Sequence, residues 1–252
     1  MQTEDRFTNR VENYIKYRPH YPNAVYDYLL KNNFVTPSSI IADIGCGTGI
    51  SSELFLKNHH KVFGVDSNQN MLDAATNYLK KHDDFIALHA NAENTKLANA
   101  SIDLIICAQA FHWFDKEKAK TEFKRILKPN GNVLLIWNDR KTNPNDFLKV
   151  YEDFIQMFAI DYKTVNHKNI QDKEIFTKFF GEEYEEISFE NSQQLDLVGL
   201  KGRVLSSSYM PEESHPDFEH MMYCLKKIFQ RYQTNEKVNI DYDTRLYIGS
   251  PN

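Results

Sequence analysis

The chain has 252 residues, of which 41% are hydrophobic and 26% charged, and its net charge is −5. That length suits one large domain, or one domain with an elaborated cap, and the apolar share is enough for a sizeable core. A pI near 6.0 argues against a nucleic-acid binder, which usually presents a basic face.

Taken in order, residues 10–33 predict helix, interrupted at Arg18-Pro19 and Tyr21-Pro22. From about residue 38 to 140, short apolar runs alternate with helical periodicity. Ile40 to Asp43 predicts a first strand and Ser51 to Lys57 a helix. Lys61 to Asp66 predicts a second strand. The helix after it, Asn68 to Lys81, places Met71, Ala75 and Tyr78 on one face. Phe85 to Leu88 and Ile102 to Ala108 are the third and fourth strands. A helix striped by Ala119, Phe123, Ile126 and Leu127 stops at Pro129 and Gly131, and Val133 to Trp137 follows as a fifth strand. Beyond it, 144–181 reads as a mostly helical insertion and Tyr184 to Phe189 as a strand. Gln194 to Leu205 and Pro216 to Tyr232 read as helices, and Val238 to Ile248 as a closing strand or hairpin. Strand–helix alternation with strands apolar on both faces predicts an α/β fold with a doubly wound parallel sheet. Ligands on such a sheet sit at the carboxyl ends of the strands.

The first strand runs into Asp43-Ile44-Gly45-Cys46-Gly47-Thr48-Gly49 and then directly into a helix. Closely spaced glycines let backbone approach a ligand through turns closed to other residues. The second strand ends in Asp66, 23 positions after Asp43. An acid there can accept both hydroxyls of a ribose, so the pair indicates an adenosine-containing cofactor. A dinucleotide loop, G-x-G-x-x-G/A, would need Gly or Ala where Ile50 or Ser52 stands. Asp43 would also repel a pyrophosphate, yet attract the ammonium of a methionine moiety. The spacing favours S-adenosylmethionine (SAM) over NAD. Cys46 reads as a small side chain in a tight turn. Cys46, Cys107 and Cys224 lie far apart, which argues against a disulfide frame or zinc site and for a reducing, cytoplasmic setting. The polar opening MQTEDRFTNRVENY has no signal-peptide core. No apolar run approaches the roughly 18 residues of a membrane span.

Asp43 to Gly49 resembles the first motif of class I SAM-dependent methyltransferases, and Val65-Asp66 the second. Asn91 to Leu97 and Ala100 to Leu104 resemble the family's third segment and fourth strand. Within that class, Tyr17-Arg18-Pro19-His20-Tyr21-Pro22, Ala108 to Phe114 and Gly202 to Tyr209 resemble the type 11 group that includes trans-aconitate methyltransferase-like proteins. The resemblance implies a mostly parallel, seven-stranded Rossmann-like sheet. It also implies one methyltransferase domain over 1–252: an N-terminal helical lid (1–37), a SAM-binding core (38–140), and a helical cap with the last strands (141–252). The backbone at Gly45, Cys46, Gly47 and Gly49 would lie along the methionine part of SAM, with Asp43 near its ammonium. Asp66 would take the ribose hydroxyls. Ser67, Met71, Asn91, Ala92 and Glu93 would border the adenine, and Ala108 and Gln109 would lie under the sulfonium. Tyr14 and Arg18, in the lid, are candidate cofactor-binding residues, Arg18 for the cofactor's carboxylate.

His112 is the candidate general base; the alternative is a packed aromatic corner over Phe111 to Phe114. Trp113 and Trp137 are candidates for the wall of an acceptor pocket or for the core, and Arg203 and Tyr209 for residues that face that pocket. Ala108-Gln109-Ala110-Phe111 replaces the N-P-P-[YF] tetrad of DNA amino-methyltransferases, in keeping with a small-molecule acceptor, of which a carboxylate is the most specific expectation. His59-His60 reads as a helix end, with no metal expected, and Glu182 to Glu186 as a solvated face. Two alternatives stay open: a non-catalytic SAM-binding module and a nicotinamide-dependent oxidoreductase.

Overall fold

The computed structural model describes residues 11–160 and 173–251. The parts of the expected lid and insertion at 1–10 and 161–172 lie outside these. Helices α1 (Val11–Tyr17) and α2 (Asn23–Lys31) come first. Pro19 and Pro22 between them remove backbone donors and prevent a continuous helix. The alternation then runs β1 (Ile41–Ile44), α3 (Ile50–Leu56), β2 (Val62–Asp66), α4 (Gln69–Tyr78), β3 (Phe85–His89), β4 (Ile102–Ala108), a 3₁₀ turn (Phe111–Trp113), α5 (Lys116–Ile126) and β5 (Leu127–Arg140). The second half adds α6 (Asp146–Phe158), α7 (Lys173–Phe180), β6 (Glu185–Leu195), α8 (Leu197–Leu205), α9 (Phe218–Tyr232) and β7 (Val238–Gly249).

The seven strands form one sheet in the order β3-β2-β1-β4-β5-β7-β6. The pairs from β3 to β5 are parallel, while β7 runs antiparallel to both β5 and β6. The closing segment is therefore a strand inserted between two others, not a separate hairpin. Two boundaries differ from expectation. β5 begins at Leu127, six residues early, because Leu127 already pairs with Ile102 before a register shift carries the strand past the Lys128–Gly131 corner. β6 continues to Leu195, through the residues expected to open a helix, because every position from Glu185 to Leu195 has a partner on β7. Asp196 then starts α8 by accepting from the Gly199 N–H at 2.7 Å.

Parallel strands alternate their side chains between two buried faces. On one face Ile44, Leu135 and Trp137 pack with Phe123 of α5 and Phe176 of α7. On the other, Ile41, Leu134 and Ile136 pack with Val25 and Leu29 of α2 and Phe55 of α3. A third cluster joins α6, α8 and α9 over the far ends of β6 and β7. The backbone of His59 and His60 closes α3 onto Leu56 and Phe55. The His60 ring is buried between the Tyr26 hydroxyl (2.9 Å) and the Ser39 carbonyl (3.0 Å). Glu182, Glu183, Glu185 and Glu186 are exposed. Among the described residues, no helix is long and apolar enough to cross a membrane.

The order reverses at β1, since the chain moves outward to β2 and β3 and then returns to β4 on the other side of β1. A crevice opens above the carboxyl ends of β1 and β4 at this switch point. Helix α1 covers it by docking on α8. The Tyr17 ring lies over Gly202, where an added Cβ would come within 2.0 Å of it. Arg18 Nη2 donates to the Ser206 carbonyl at 2.7 Å, and Gln193 Nε2 donates to the Tyr17 carbonyl at 3.0 Å.

Candidate active site

The loop after β1 holds three glycines in left-handed conformation, with φ of 71° at Gly45, 53° at Gly47 and 83° at Gly49. A side chain at Gly45 would place its Cβ 2.6 Å from that of Ala110, and one at Gly49 would meet Leu79 at the same distance. These two glycines let β1 and α3 pack closely on β4 and α4. Gly47 differs, because a Cβ there would meet nothing within 4 Å. It borders open space, and the backbone there can be approached by a ligand.

Asp66 is tied to this loop. Its Oδ2 accepts from the Gly47 N–H at 2.8 Å and its Oδ1 from the Asn68 N–H at 2.8 Å. Asn68 in turn caps α4 by accepting from the Met71 N–H at 3.2 Å.

Asp43 sits behind the loop and is fully buried. Its Oδ2 accepts from Ser51 and Ser52 of α3, each at 2.6 Å, while its Oδ1 has no hydrogen-bond partner. Burial, aided by nearby Asp66, raises its pKa to about 6 against the pull of the serine hydroxyls. An orphaned, buried carboxylate oxygen at the base of a glycine loop fits a cationic ligand group. Burial also pushes the Cys46 thiol well up, so it stays protonated.

A cavity of about 780 Å³ follows the strand ends, within the range of about 300–1,000 Å³ usual for small-ligand sites. Most of the expected cofactor residues line it. Tyr14 comes from the lid, Gly45 and Gly47 from the loop, and Asp66 and Ser67 from the end of β2, with Met71 in the first turn of α4. Asn91, Ala92 and Glu93 come from beyond β3, and Ala108 and Gln109 from the end of β4. Glu93 Oε1 accepts from the Asp115 N–H at 2.8 Å, which joins this wall to the start of α5. Gln109 has a φ of 58°, and its N–H donates to the Ile136 carbonyl at 3.0 Å.

A second cleft of about 160 Å³ shares Tyr14, Gly45, Gly47, Ala108, Gln109 and Trp113 with the first. Arg18 and Cys46 line it, together with His112, Arg203 and Tyr209. Arg203 is 7% exposed. Its Nε donates to the Tyr242 hydroxyl at 3.2 Å and its Nη1 to Ser207 Oγ at 3.1 Å. Arg18 stacks on the Tyr14 ring at 4.8 Å, and burial and the neighbouring Arg203 lower its pKa. Among the described residues, neither guanidinium forms an ion pair, and no carboxylate lines the cleft. The His112 ring lies 4.7 Å from that of Trp113.

Of the expected site residues, Asp43 and Gly49 line neither cavity and stand behind the loop. Trp137 is a correction. It is 1% exposed and packs on Phe176 and Tyr247 at 6.1 and 6.0 Å. Strand alternation turns it into the core, and the next residue, Asn138, faces the cleft instead. Tyr21, Asn68, His89, Lys96 and Asn138 also line the cavities without having been singled out. His89, at the carboxyl end of β3, could have been found by its strand-end position.

Residues 42–135 match the family model described as a methyltransferase domain. An uncharacterized methyltransferase-like protein of Schizosaccharomyces pombe is 36% identical over 135 residues, 53% of this chain and 52% of its own. A Dictyostelium discoideum protein named as a methyltransferase is 30% identical over 203 residues, 78% of this chain and 75% of its own. The chain spans about half the length of several other curated relatives it matches. A structure from Anaeromyxobacter dehalogenans described as a type II methyltransferase shares the fold, with a TM-score of 0.71 at 19% identity, covering 92% of this chain and 97% of that one. The glycine loop with Asp66 beside it, the strand order, and the similarity that runs across both halves of the Dictyostelium relative agree: the chain belongs to the class I SAM-dependent methyltransferases.

Proposed function

We propose that the protein transfers the methyl group of SAM to a small-molecule acceptor carrying a carboxylate. The observation that carries this reading is the second cleft, which shares its wall with the larger cavity and is lined by Arg18, Arg140 and Arg203. Arg140 is paired with Glu152, while among the described residues Arg18 and Arg203 have no acid beside them. These two guanidiniums are hydrogen-bonded to neutral groups but have no counter-ion there, and an arriving anion offsets the cost of keeping such charges buried. Two such charges leave one for the carboxylate of the cofactor and one for the acceptor.

In this reading Asp66 takes the ribose hydroxyls, and Ser67, Met71, Asn91, Ala92 and Glu93 border the adenine. The ammonium lies over Asp43, reached through the loop of Gly45, Cys46, Gly47 and Gly49, while Tyr14 and Arg18 face the cofactor's carboxylate. Ala108 and Gln109 form the floor at the reacting end. Arg203 and Tyr209 receive the acceptor against the wall of Trp113. The chain works as one methyltransferase unit, with α1 and α2 as lid, 38–140 as the cofactor core and the helices after 140 as cap.

Bound SAM would supply an electrophilic methyl group, since the sulfonium can release it by leaving as a neutral thioether. The protein's task is then alignment, and near-attack positioning supplies about 7–11 kcal/mol. General base help supplies typically 10²–10⁴-fold and is not needed for an acceptor already ionised at pH 7. His112 would serve as base only for an acceptor that must lose a proton.

The test is turnover of SAM with a panel of mono-, di- and tricarboxylates, read by mass spectrometry of the methylated acceptor. Methyl esters from the panel, and none from matched alcohols or amines, are the expected result. Tight S-adenosylhomocysteine binding with no turnover on any carboxylate would remove this reading and leave a non-catalytic SAM-binding module or a different acceptor.

A further inference from the structure

Tyr21 stands in the cleft wall beside the residues already assigned, on a segment that three elements hold in place. The carbonyls just before it are gripped by side-chain amides. Asn138 Nδ2 of β5 donates to Pro19 O at 3.3 Å, and Asn191 Nδ2 of β6 donates to His20 O at 2.8 Å. Asn138 Oδ1 accepts from Asn191 Nδ2 at 3.2 Å and from the Thr244 hydroxyl of β7 at 2.6 Å, so the grip is itself fixed. Pro22 follows immediately as the N-cap of α2, with φ at −67°. A side chain mounted this way has a defined direction.

Tyr21 contributes to the wall of the smaller cleft together with Gln109, which borders both cavities. Burial holds the phenol's pKa well above its ordinary value, nearby Tyr14 and Asp43 push it further the same way, and Gln109 and Arg18 pull it down by less. A protonated phenol has its own proton to donate. It stays a neutral donor throughout the working pH range, at the point where the acceptor cleft meets the floor of the cofactor cavity.

We propose that Tyr21 binds the acceptor: its hydroxyl donates to one oxygen of the acceptor's carboxylate and turns the other oxygen toward the methyl group. The proposal rests on the carboxylate reading of the cleft. The oxygen that takes the methyl spends its lone pair and negative charge on the new C–O bond, and the C–S electron pair stays on sulfur. No proton moves, so the phenol keeps its own. Arg203 supplies charge to the same cleft, and Tyr21, on its held segment, supplies a single neutral donor there.

The test is Tyr21→Phe, which keeps the ring and its packing. We expect S-adenosylhomocysteine affinity within about twofold of wild type by calorimetry, since the variant removes no cofactor contact. Acceptor affinity for the S-adenosylhomocysteine complex should fall about tenfold, and kcat by about 10- to 100-fold, in line with the loss of one hydrogen bond to a charged group. The pH profile should keep its shape, because the phenol does not titrate in the range. Replacing Tyr21 with 3-fluorotyrosine, a stronger donor of nearly the same shape, should hold or raise acceptor affinity, which a purely structural role would not do. Wild-type kcat and acceptor affinity in Tyr21→Phe, or a loss confined to S-adenosylhomocysteine binding, would overturn the proposal alone. A wild-type enzyme that turns over no carboxylate would overturn the acceptor reading, and this proposal with it.

Discussion

The backbone N–H of Gly47 donates to Asp66 Oδ2 at 2.8 Å, joining the loop after β1 to the end of β2. The same carboxylate holds the Asn68 N–H at the start of α4 through its other oxygen. Asp66 thus shapes the loop and the ribose position together. Asp66→Ala would remove both tethers along with the proposed hydroxyl acceptor. Hydrogen bonds to charged groups are worth about 1.5–3 kcal/mol each, so a loss of 100-fold or more in S-adenosylhomocysteine affinity is expected. Asp66→Asn, which keeps one acceptor oxygen, should fall between. Calorimetry on the three proteins checks the order.

Asp43 gives a pH signature. Its carboxyl has a pKa of about 6 in the fold, against 3.8 ordinarily. Below about pH 3 it is protonated in both folded and unfolded chains and contributes nothing. As pH rises from about 3 to 6 the unfolded chain ionises first, so the free protein loses stability, by up to about 3 kcal/mol above pH 6. Asp43→Asn should lack that loss and melt at least as high as wild type at pH 7.5. An ammonium beside Asp43 reverses the preference, because it favours the ionised form. Wild-type affinity for S-adenosylhomocysteine should therefore weaken as pH falls through 6, while the Asn variant binds weakly at every pH. Calorimetry from pH 5 to 8, beside melting curves of the free proteins, separates the two effects.

Arg18 and Arg203 share one cleft, but the proposed roles divide them. Arg18→Met should lose cofactor affinity by about 10- to 100-fold, as expected for a charge-assisted contact. Arg203→Met should bind S-adenosylhomocysteine nearly as wild type does and raise the acceptor KM by a similar factor. Arg203→Lys keeps the charge without the planar fork and should recover part of it. Equal effects of both methionine variants on S-adenosylhomocysteine binding would show that the pair acts as one cofactor site.

What the sequence makes legible follows from burial. Strands β1 and β4 are buried along almost their whole length, so their continuous apolar runs, IADI and IDLIICA, announce them. β6 is the opposite. Its outer positions are exposed and only Ile187, Phe189 and Leu195 are apolar, so its length is dictated by pairing with β7, which no local pattern reveals. The glycine loop and Asp66 are legible because their chemistry is local and their spacing is set by one strand–helix–strand unit. Trp137 and Asn138 are not. One step of strand register decides which of them reaches the cleft, and that step is set by β4 and β7. Tyr21 is hidden for a related reason: its segment lies far in sequence from Asn138 and Asn191, the residues that aim it.

Gly202 lines neither cavity, yet it should control cofactor binding. The Tyr17 ring rests on it so closely that an added Cβ would fall 2.0 Å from Cδ2 and 2.2 Å from Cε2. Tyr17 is the last residue of α1, and both Tyr14 and Arg18 depend on where that helix lies. Gly202→Ala must move α1 away from α8, because the ring is held at the backbone by Gln193 and by the Arg18–Ser206 bond and cannot simply swing aside. Within α8 itself alanine is the better helix former, by roughly 1 kcal/mol. The variant should therefore fold, with its loss concentrated at the lid: S-adenosylhomocysteine affinity lower by about tenfold or more, and faster hydrogen exchange over 11–18. Tyr17→Ala in the same background removes the clash and should restore part of the affinity that Gly202→Ala loses. An additive double variant, or a Gly202→Ala protein that binds like wild type, would mean that α1 is not positioned through this contact.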